Sequence, residues 1–280
     1  MDRSLYKISN VNRMDPFLMT ITSGEDHWMY LSSTGCLTAG RKKAEYALFP
    51  YVTDDLLHRN AHFTGPVTVI RINDDDKNLV WRPFSPYEES YEKEWNLHKN
   101  SLGDIVIFEE INHSLGLTFL YKWQSSAKYG FVRKSRLVNN NKKMLNIELI
   151  DGLRHIMPTG IELRTQQEMS NLANAYKVSE YMPDSNCALF FLNALLMDRP
   201  EPGESLYTNL IWSYYNGEKI ISLNEEDIAR FTANGAFSGA HLVKGKPGSF
   251  LTKIEKNLNT IVSAHNSVVH PNMFIKSFLS

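Results

Sequence analysis

Residues 112–139 constrain the fold of this chain more than any other stretch. Leu115, Leu117, Phe119, Tyr121 and Trp123 fall on every second position. Successive side chains of a β-strand point to opposite faces, so an apolar period of two marks one buried face of a strand. A polar break at residues 124–128 follows. Residues 129–138 then run extended again, with Arg133 and Arg136 among the apolar positions. The pattern predicts a large, aromatic, antiparallel sheet.

The rest of the chain reads the same way. A pair of strands is expected over residues 17–32, broken by the turn signal Ser23-Gly24-Glu25-Asp26. Residues 67–72 and 79–84 predict a hairpin around Asn73-Asp74-Asp75-Asp76. Strands are also expected over 105–111, 144–150 (closed by Asp151-Gly152), 206–215, 250–254 and 260–264. The continuous apolar run 187–197 reads as a strand buried on both faces. Residues 163–181 read as a helix starting near Arg164. Asn224, followed by Glu225, Glu226 and Asp227, predicts an N-cap and a short helix to Phe231. The expected fold class is all-β with one or two short helices, and residues 1–280 are expected to form one domain. Weak boundaries fall near Asp151-Gly152 and at Arg199-Pro200-Glu201-Pro202-Gly203.

Composition removes several function classes. The net charge is −1 and no long basic run occurs, so no nucleic-acid partner is expected. Cys36 and Cys187 are the only cysteines. Two cysteines make neither a disulfide framework nor a zinc site, and they suit a reducing cytoplasm, although one bridge between them stays open. The N-terminal residues lack an apolar core of the secretory kind. A periplasmic location would require a signal peptide already removed. The run 187–197 is interrupted by Asn193 and is too short to span a bilayer, so no membrane partner is expected. Gly245-Lys246 lacks the following Ser or Thr of a phosphate loop. His58 and His62 stand four apart, but Arg59, Asn60 and Gly65 point to a loop. No cofactor and no metal are expected.

The candidate chemistry is sparse. Carboxylates pair at Glu88-Glu89, Glu109-Glu110 and Glu225-Glu226. Neighbours in a strand face opposite ways, so one pair cannot flank a glycosidic bond. Each pair reads as a solvated edge or a helix start. His113 with Glu110 is the best acid/base combination, of the kind a sugar isomerase of the mutarotase type would use. Aromatic rings stack on the apolar face of a pyranose while guanidinium groups bind its hydroxyls. Trp81, Arg82, Trp95, Trp123 and Arg133 are the candidates for carbohydrate contact, with core packing as the alternative for each tryptophan.

Several segments resemble a known family. They are Tyr30-Leu31-Ser32-Ser33-Thr34-Gly35 with Leu37-Thr38-Ala39-Gly40-Arg41, and Ala47-Leu48-Phe49-Pro50-Tyr51 with Thr53-Asp54-Asp55. Gly65-Pro66, Trp81-Arg82-Pro83 and Tyr129-Gly130-Phe131-Val132-Arg133 follow in order. Pro158-Thr159-Gly160-Ile161, Gln166-Gln167, Ser170-Asn171-Leu172 and Ala175-Tyr176-Lys177 complete the set. Together they resemble the N-terminal β-sandwich domain of the cellobiose-phosphorylase-like glycoside phosphorylases and of related large bacterial carbohydrate-active proteins. The resemblance implies an antiparallel β-supersandwich like that of galactose mutarotases. It also implies a non-catalytic role, with the domain shaping a sugar site and packing on a C-terminal helical barrel of the same polypeptide. No catalytic residue carries over, because the family's catalytic groups lie in the barrel. Alone, the chain is expected to lack turnover, whereas its parent would be a phosphorylase or hydrolase. The alternatives are a stand-alone glycan-binding module and the isomerase using His113 and Glu110. Hydrophobic residues make up 42% of the chain. A face built to cover a barrel would be exposed in isolation, so a homodimer is a further expected partner state.

Overall fold

The computed structural model of the chain describes residues 4–60, 62–74, 77–85, 87, 90–194, 205–258 and 263–274. In chain order the first strands are β1 (Leu5–Ser9), β2 (Leu18–Ile21), β3 (His27–Ser32), β4 (Leu37–Arg41), β5 (Ala47–Phe49), β6 (Gly65–Asp74) and β7 (Lys77–Trp81). Next come β8 (Lys93–Asn100), β9 (Ile105–Asn112), β10 (Leu117–Ser126), β11 (Gly130–Asn139), β12 (Leu145–Ile156) and β13 (Lys177–Met182). The last are β14 (Cys187–Leu192), β15 (Tyr207–Tyr214), β16 (Ile220–Ser222), β17 (Leu242–Lys244), β18 (Gly248–Leu258) and β19 (Ser263–Phe274). Short helices are α1 (Asp54–Leu57), α2 (Leu163–Glu168), α3 (Ser170–Tyr176) and α4 (Glu226–Asn234).

The strands divide among three sheets. A ten-stranded sheet has the order β1-β8-β9-β10-β11-β19-β15-β14-β13-β17. A five-stranded sheet runs β16-β18-β12-β6-β7, and a four-stranded sheet runs β2-β3-β4-β5. The chain is therefore mostly β, as expected, but the expected galactose-mutarotase-like β-supersandwich is overturned: the strands form separate sheets and not a sandwich. The physical reason lies in pairing. Alternation tells which face of a strand is buried, not which strand lies beside it. Among the described residues, strands β2 to β5 pair only with one another.

The central prediction holds. Leu117, Phe119, Tyr121 and Trp123 of β10 are all buried. Strand β10 pairs with β11 from Leu117 opposite Asn139 to Ser126 opposite Gly130. One core draws on all three sheets, with Phe119 and Trp123 from the largest, Ile70 and Leu149 from the second, and Met29 and Leu31 from the third. Phe108 stacks on Tyr121 with centroids 4.8 Å apart, and Phe84 meets Tyr121 edge-on at 5.3 Å.

Several expectations change. The helix over 163–181 is two helices, broken at Met169 (φ −130°, ψ 39°), and the chain turns into β13 at Lys177. The strand expected to close at Asp151-Gly152 runs on to Ile156. Gly152 is not a turn residue. A Cβ there would collide with the Phe250 carbonyl oxygen, so glycine permits the close approach of β12 and β18. The weak boundary at Asp151-Gly152 thus falls inside a central strand. The run 187–197 forms a strand only to Leu192, with residues 195–197 outside the described residues. Residues 75–76, 199–203 and 260–262 also lie outside them. Cys36 and Cys187 are separate, buried thiols, which removes the open possibility of a bridge. Burial pushes each thiol up to about 12. Among the described residues, no helix is long and apolar enough to cross a membrane.

Candidate functional site

A cavity of about 630 Å³ opens between β6, β10, β12 and α4. Thr68 of β6 and Tyr121 of β10 line its floor. Beneath them lies a buried polar node. The Asp151 carboxylate accepts two bonds from the Arg133 guanidinium, at 2.7 and 2.8 Å. It also accepts from Thr68 Oγ1 at 2.7 Å and from Ser135 Oγ. The Arg133 guanidinium lies 4.9 Å from the centroid of the Tyr121 ring. The node ties β11 of the large sheet to β6 and β12 of the second. Burial raises the Tyr121 phenol above its ordinary range, so it stays protonated.

Helix α4 forms one wall and is fixed at both ends. The Asn224 side-chain oxygen accepts the Glu226 N–H at 3.2 Å, although the N-cap position falls one residue later than expected, on Glu225, which makes no side-chain cap bond. Buried Asp227 accepts from Ser222 Oγ and Ser238 Oγ, each at 2.6 Å. At the other end Arg71 Nη1 donates to the Phe231 and Thr232 carbonyls at 3.1 and 3.2 Å. A cation there also complements the helix dipole. Gly235, at φ 80°, ends the helix in the left-handed conformation.

Charge gathers above the floor. Arg82, Arg154, His62 and Glu225 all line the cavity. Burial raises the Glu225 carboxyl above the usual carboxylate range, against the pull of Arg154. Burial lowers Arg154, an effect that Glu225 opposes. Burial, then Arg154 and Arg82, lowers His62. At the rim Phe63 is 65% exposed and Tyr87 is 73% exposed. The His62 and Tyr87 rings lie 4.8 Å apart. A second cavity of about 400 Å³ shares Phe63 and Glu225 with the first and adds His155. His155 sits at a register shift in β12 with φ 57°, its Nδ1 3.1 Å from Thr64 Oγ1.

Of the five residues predicted to contact carbohydrate, Arg82 alone lines this cavity. Trp81, Trp123 and Arg133 have no exposed surface, so they pack and offer no face to a ligand. Trp95 is buried beside Phe84, with ring centroids 5.6 Å apart. The expected acid/base partners sit in different surroundings. Glu110 has no exposed surface; it accepts the Trp81 Nε1–H at 2.8 Å and the Phe84 N–H. His113 is about half exposed and faces Glu94 at 3.8 Å. The reading of Glu109-Glu110 as a solvated edge therefore fails for Glu110, which ties β9 to the segment after β7. The helix-start reading holds for Glu225-Glu226, but it missed that Glu225 also lines the cavity. Arg154 was missed because its strand was expected to end four residues earlier. Phe63 carried a signal, since a large ring flanked by His62, Thr64, Gly65 and Pro66 stands in turn-forming sequence where it is apt to be exposed.

No protein-family model and no curated protein matches the chain. The cellobiose-phosphorylase-like resemblance thus stands on the sequence segments alone. Among solved structures, heparan sulfate lyase HepC from Pedobacter heparinus is 11% identical with a TM-score of 0.40, covering 88% of this chain and 33% of its own. A bacterial glucoamylase complexed with acarbose is 9% identical with a TM-score of 0.43, covering 95% and 35%. A heparinase III is 14% identical with a TM-score of 0.37, covering 91% and 35%. This chain spans about a third of the length of these structures. At such TM-scores the likenesses carry no argument about fold or function.

Proposed function

We propose that this chain is a carbohydrate-binding β domain of a larger carbohydrate-active enzyme, and that the cavity beside α4 is its sugar site. One observation carries the reading: exposed flat rings stand beside planar donors at the rim. Phe63 and the His62–Tyr87 pair supply apolar faces of the kind that cover a pyranose, and Arg82 and Arg154 supply donors in fixed geometry for its oxygens. The cavity volume of about 630 Å³ lies within the roughly 300–1,000 Å³ of small-ligand sites. In this reading the domain binds and shapes the sugar site. Turnover belongs to another domain of the same polypeptide, the helical barrel that the sequence resemblance implies.

Calorimetric titration with a panel of oligosaccharides tests the site. Saturable binding is expected, weakened about tenfold by Tyr87→Ala, which removes a mostly exposed ring and should leave the melting temperature unchanged. No binding at millimolar ligand would reject the reading. The mass of the native polypeptide tests the domain role separately. An immunoblot band far above 32.2 kDa is expected. A band at that mass would reject the larger enzyme and leave a stand-alone binding module.

A further inference from the structure

The floor of the cavity carries a hydroxyl that the fold does not use. Tyr121 is 2% exposed, and it lines the cavity. Its ring is held by Phe108, stacked at 4.8 Å, by Phe84, edge-on at 5.3 Å, and by the Arg133 guanidinium, 4.9 Å from its centroid. These contacts engage the ring and leave the phenol oxygen aside. Among the described residues, that oxygen has no hydrogen-bond partner. The threonine hydroxyls of the same cavity are committed. Thr68 Oγ1 donates to Asp151 at 2.7 Å, and Thr34 Oγ1 lies 2.7 Å from Ser32 Oγ.

Gly35 shows where the phenol oxygen points. It also lines the cavity, and a Cβ on it would stand 3.0 Å from that oxygen. Gly35 ends the turn between β3 and β4 at φ 93°, with its N–H donating to the Ser32 carbonyl at 2.9 Å. Glycine suits that backbone and leaves the hydroxyl uncovered on the cavity side. A buried hydroxyl without a partner is costly, so an entering oxygen that pairs with it is favoured over a carbon in the same place. Val67, Val69 and Phe84 line the same cavity, and their side chains offer no competing donor.

We propose that the Tyr121 hydroxyl sets the specificity of the site: it hydrogen-bonds one hydroxyl of the bound sugar at the cavity floor and discriminates against a sugar that lacks an oxygen there. This rests on the carbohydrate-binding reading above and adds the residue that tells one sugar from another. Rim rings treat pyranoses alike, because each offers an apolar face. A site built to pair with a particular hydroxyl rejects the analogue without it.

The test is calorimetry on the full chain with cellotetraose, xylotetraose, mannotetraose and chitotetraose, followed by the monodeoxy analogues of the tightest binder. Tyr121→Phe removes one oxygen and keeps the ring. It should lower affinity for the tightest binder about tenfold and leave the melting temperature within about 2 °C of the unmodified protein. The unmodified protein should bind one monodeoxy analogue about tenfold more weakly than its parent. Tyr121→Phe should bind that analogue and the parent equally. Tyr87→Ala should weaken both by the same factor, since a stacking face does not read a single hydroxyl.

The outcomes separate the two proposals. A Tyr121→Phe variant that binds as tightly as the unmodified protein, or that still discriminates against the same analogue, overturns the role of Tyr121 and keeps the sugar site. A fall in melting temperature of more than about 5 °C overturns it too, because the hydroxyl is then holding the fold. Failure of every sugar to bind removes both proposals together.

Discussion

Arg133 and Arg154 are both arginines on sheet strands, each facing a carboxylate, and they serve opposite ends. Arg133 is wholly buried and spends both ends of its guanidinium on Asp151, at 2.7 and 2.8 Å. Asp151 in turn takes hydroxyls from Thr68 and Ser135. Arg154 instead lines an open cavity that also holds Glu225, whose carboxyl burial raises above the usual carboxylate range. A buried ion pair whose remaining lone pairs are all bonded is structure, because nothing in it can be exchanged without loss. A charged pair that lines a cavity has room beside it for a ligand.

Removing Asp151 should have the largest effect. Asp151→Ala strands a guanidinium in the core and leaves two hydroxyls without their acceptor. The expected loss is about 3–5 kcal/mol of folding stability, read from urea unfolding by circular dichroism. A loss under about 1 kcal/mol would show that the node is replaceable, and would break the contrast with the rim.

The next effect is a pH window. Burial, then Lys177 and Arg154, pushes His155 down to about 4, whereas in the unfolded chain it titrates near 6.5. Between those values the unfolded chain binds a proton that the folded one refuses. Stability is therefore full above about 6.5 and falls as pH drops toward about 4. By pH 5 the loss should reach about 2 kcal/mol relative to pH 8. His155→Asn keeps a residue that accepts the left-handed backbone and should flatten the slope in that window. An unchanged slope would assign the acid sensitivity to other groups.

The two regions also differ in how far they could be read from sequence. The floor was half legible. The period of two over Leu117 to Trp123 put Tyr121 and Trp123 on a buried face, and the structure keeps them there. Arg133 stood out as a charge among apolar positions, but its meaning depends on Asp151, a residue that looked like part of a turn. Local pattern cannot show that a glycine after an aspartate serves close strand approach, because the neighbouring strand is about a hundred residues away in sequence. The buried position of Glu110 is legible in its strand. Val106, Phe108, Glu110 and Asn112 alternate, and carrying that register through places Glu110 on the inner face where it is found. The rim was barely legible. Its groups come from β12, α4 and the segments before β6 and after β7, and only the arrangement of sheets brings them together. That arrangement was also where the supersandwich expectation failed.

The smallest stability effect belongs to the rim, and it is the sharpest test of the comparison. Arg82 is exposed, and it lines the cavity. Arg82→Met should shift folding stability by no more than about 0.5 kcal/mol, the usual range for a surface change away from buried networks. The same substitution should cost about tenfold in affinity for the sugar, equivalent to about 1.4 kcal/mol of binding. Thermal melts and calorimetry on the same preparation measure both quantities. If stability falls by more than about 2 kcal/mol, Arg82 is holding the fold as Arg133 does. The distinction between an arginine that holds the core and one that lines the cavity would then fail.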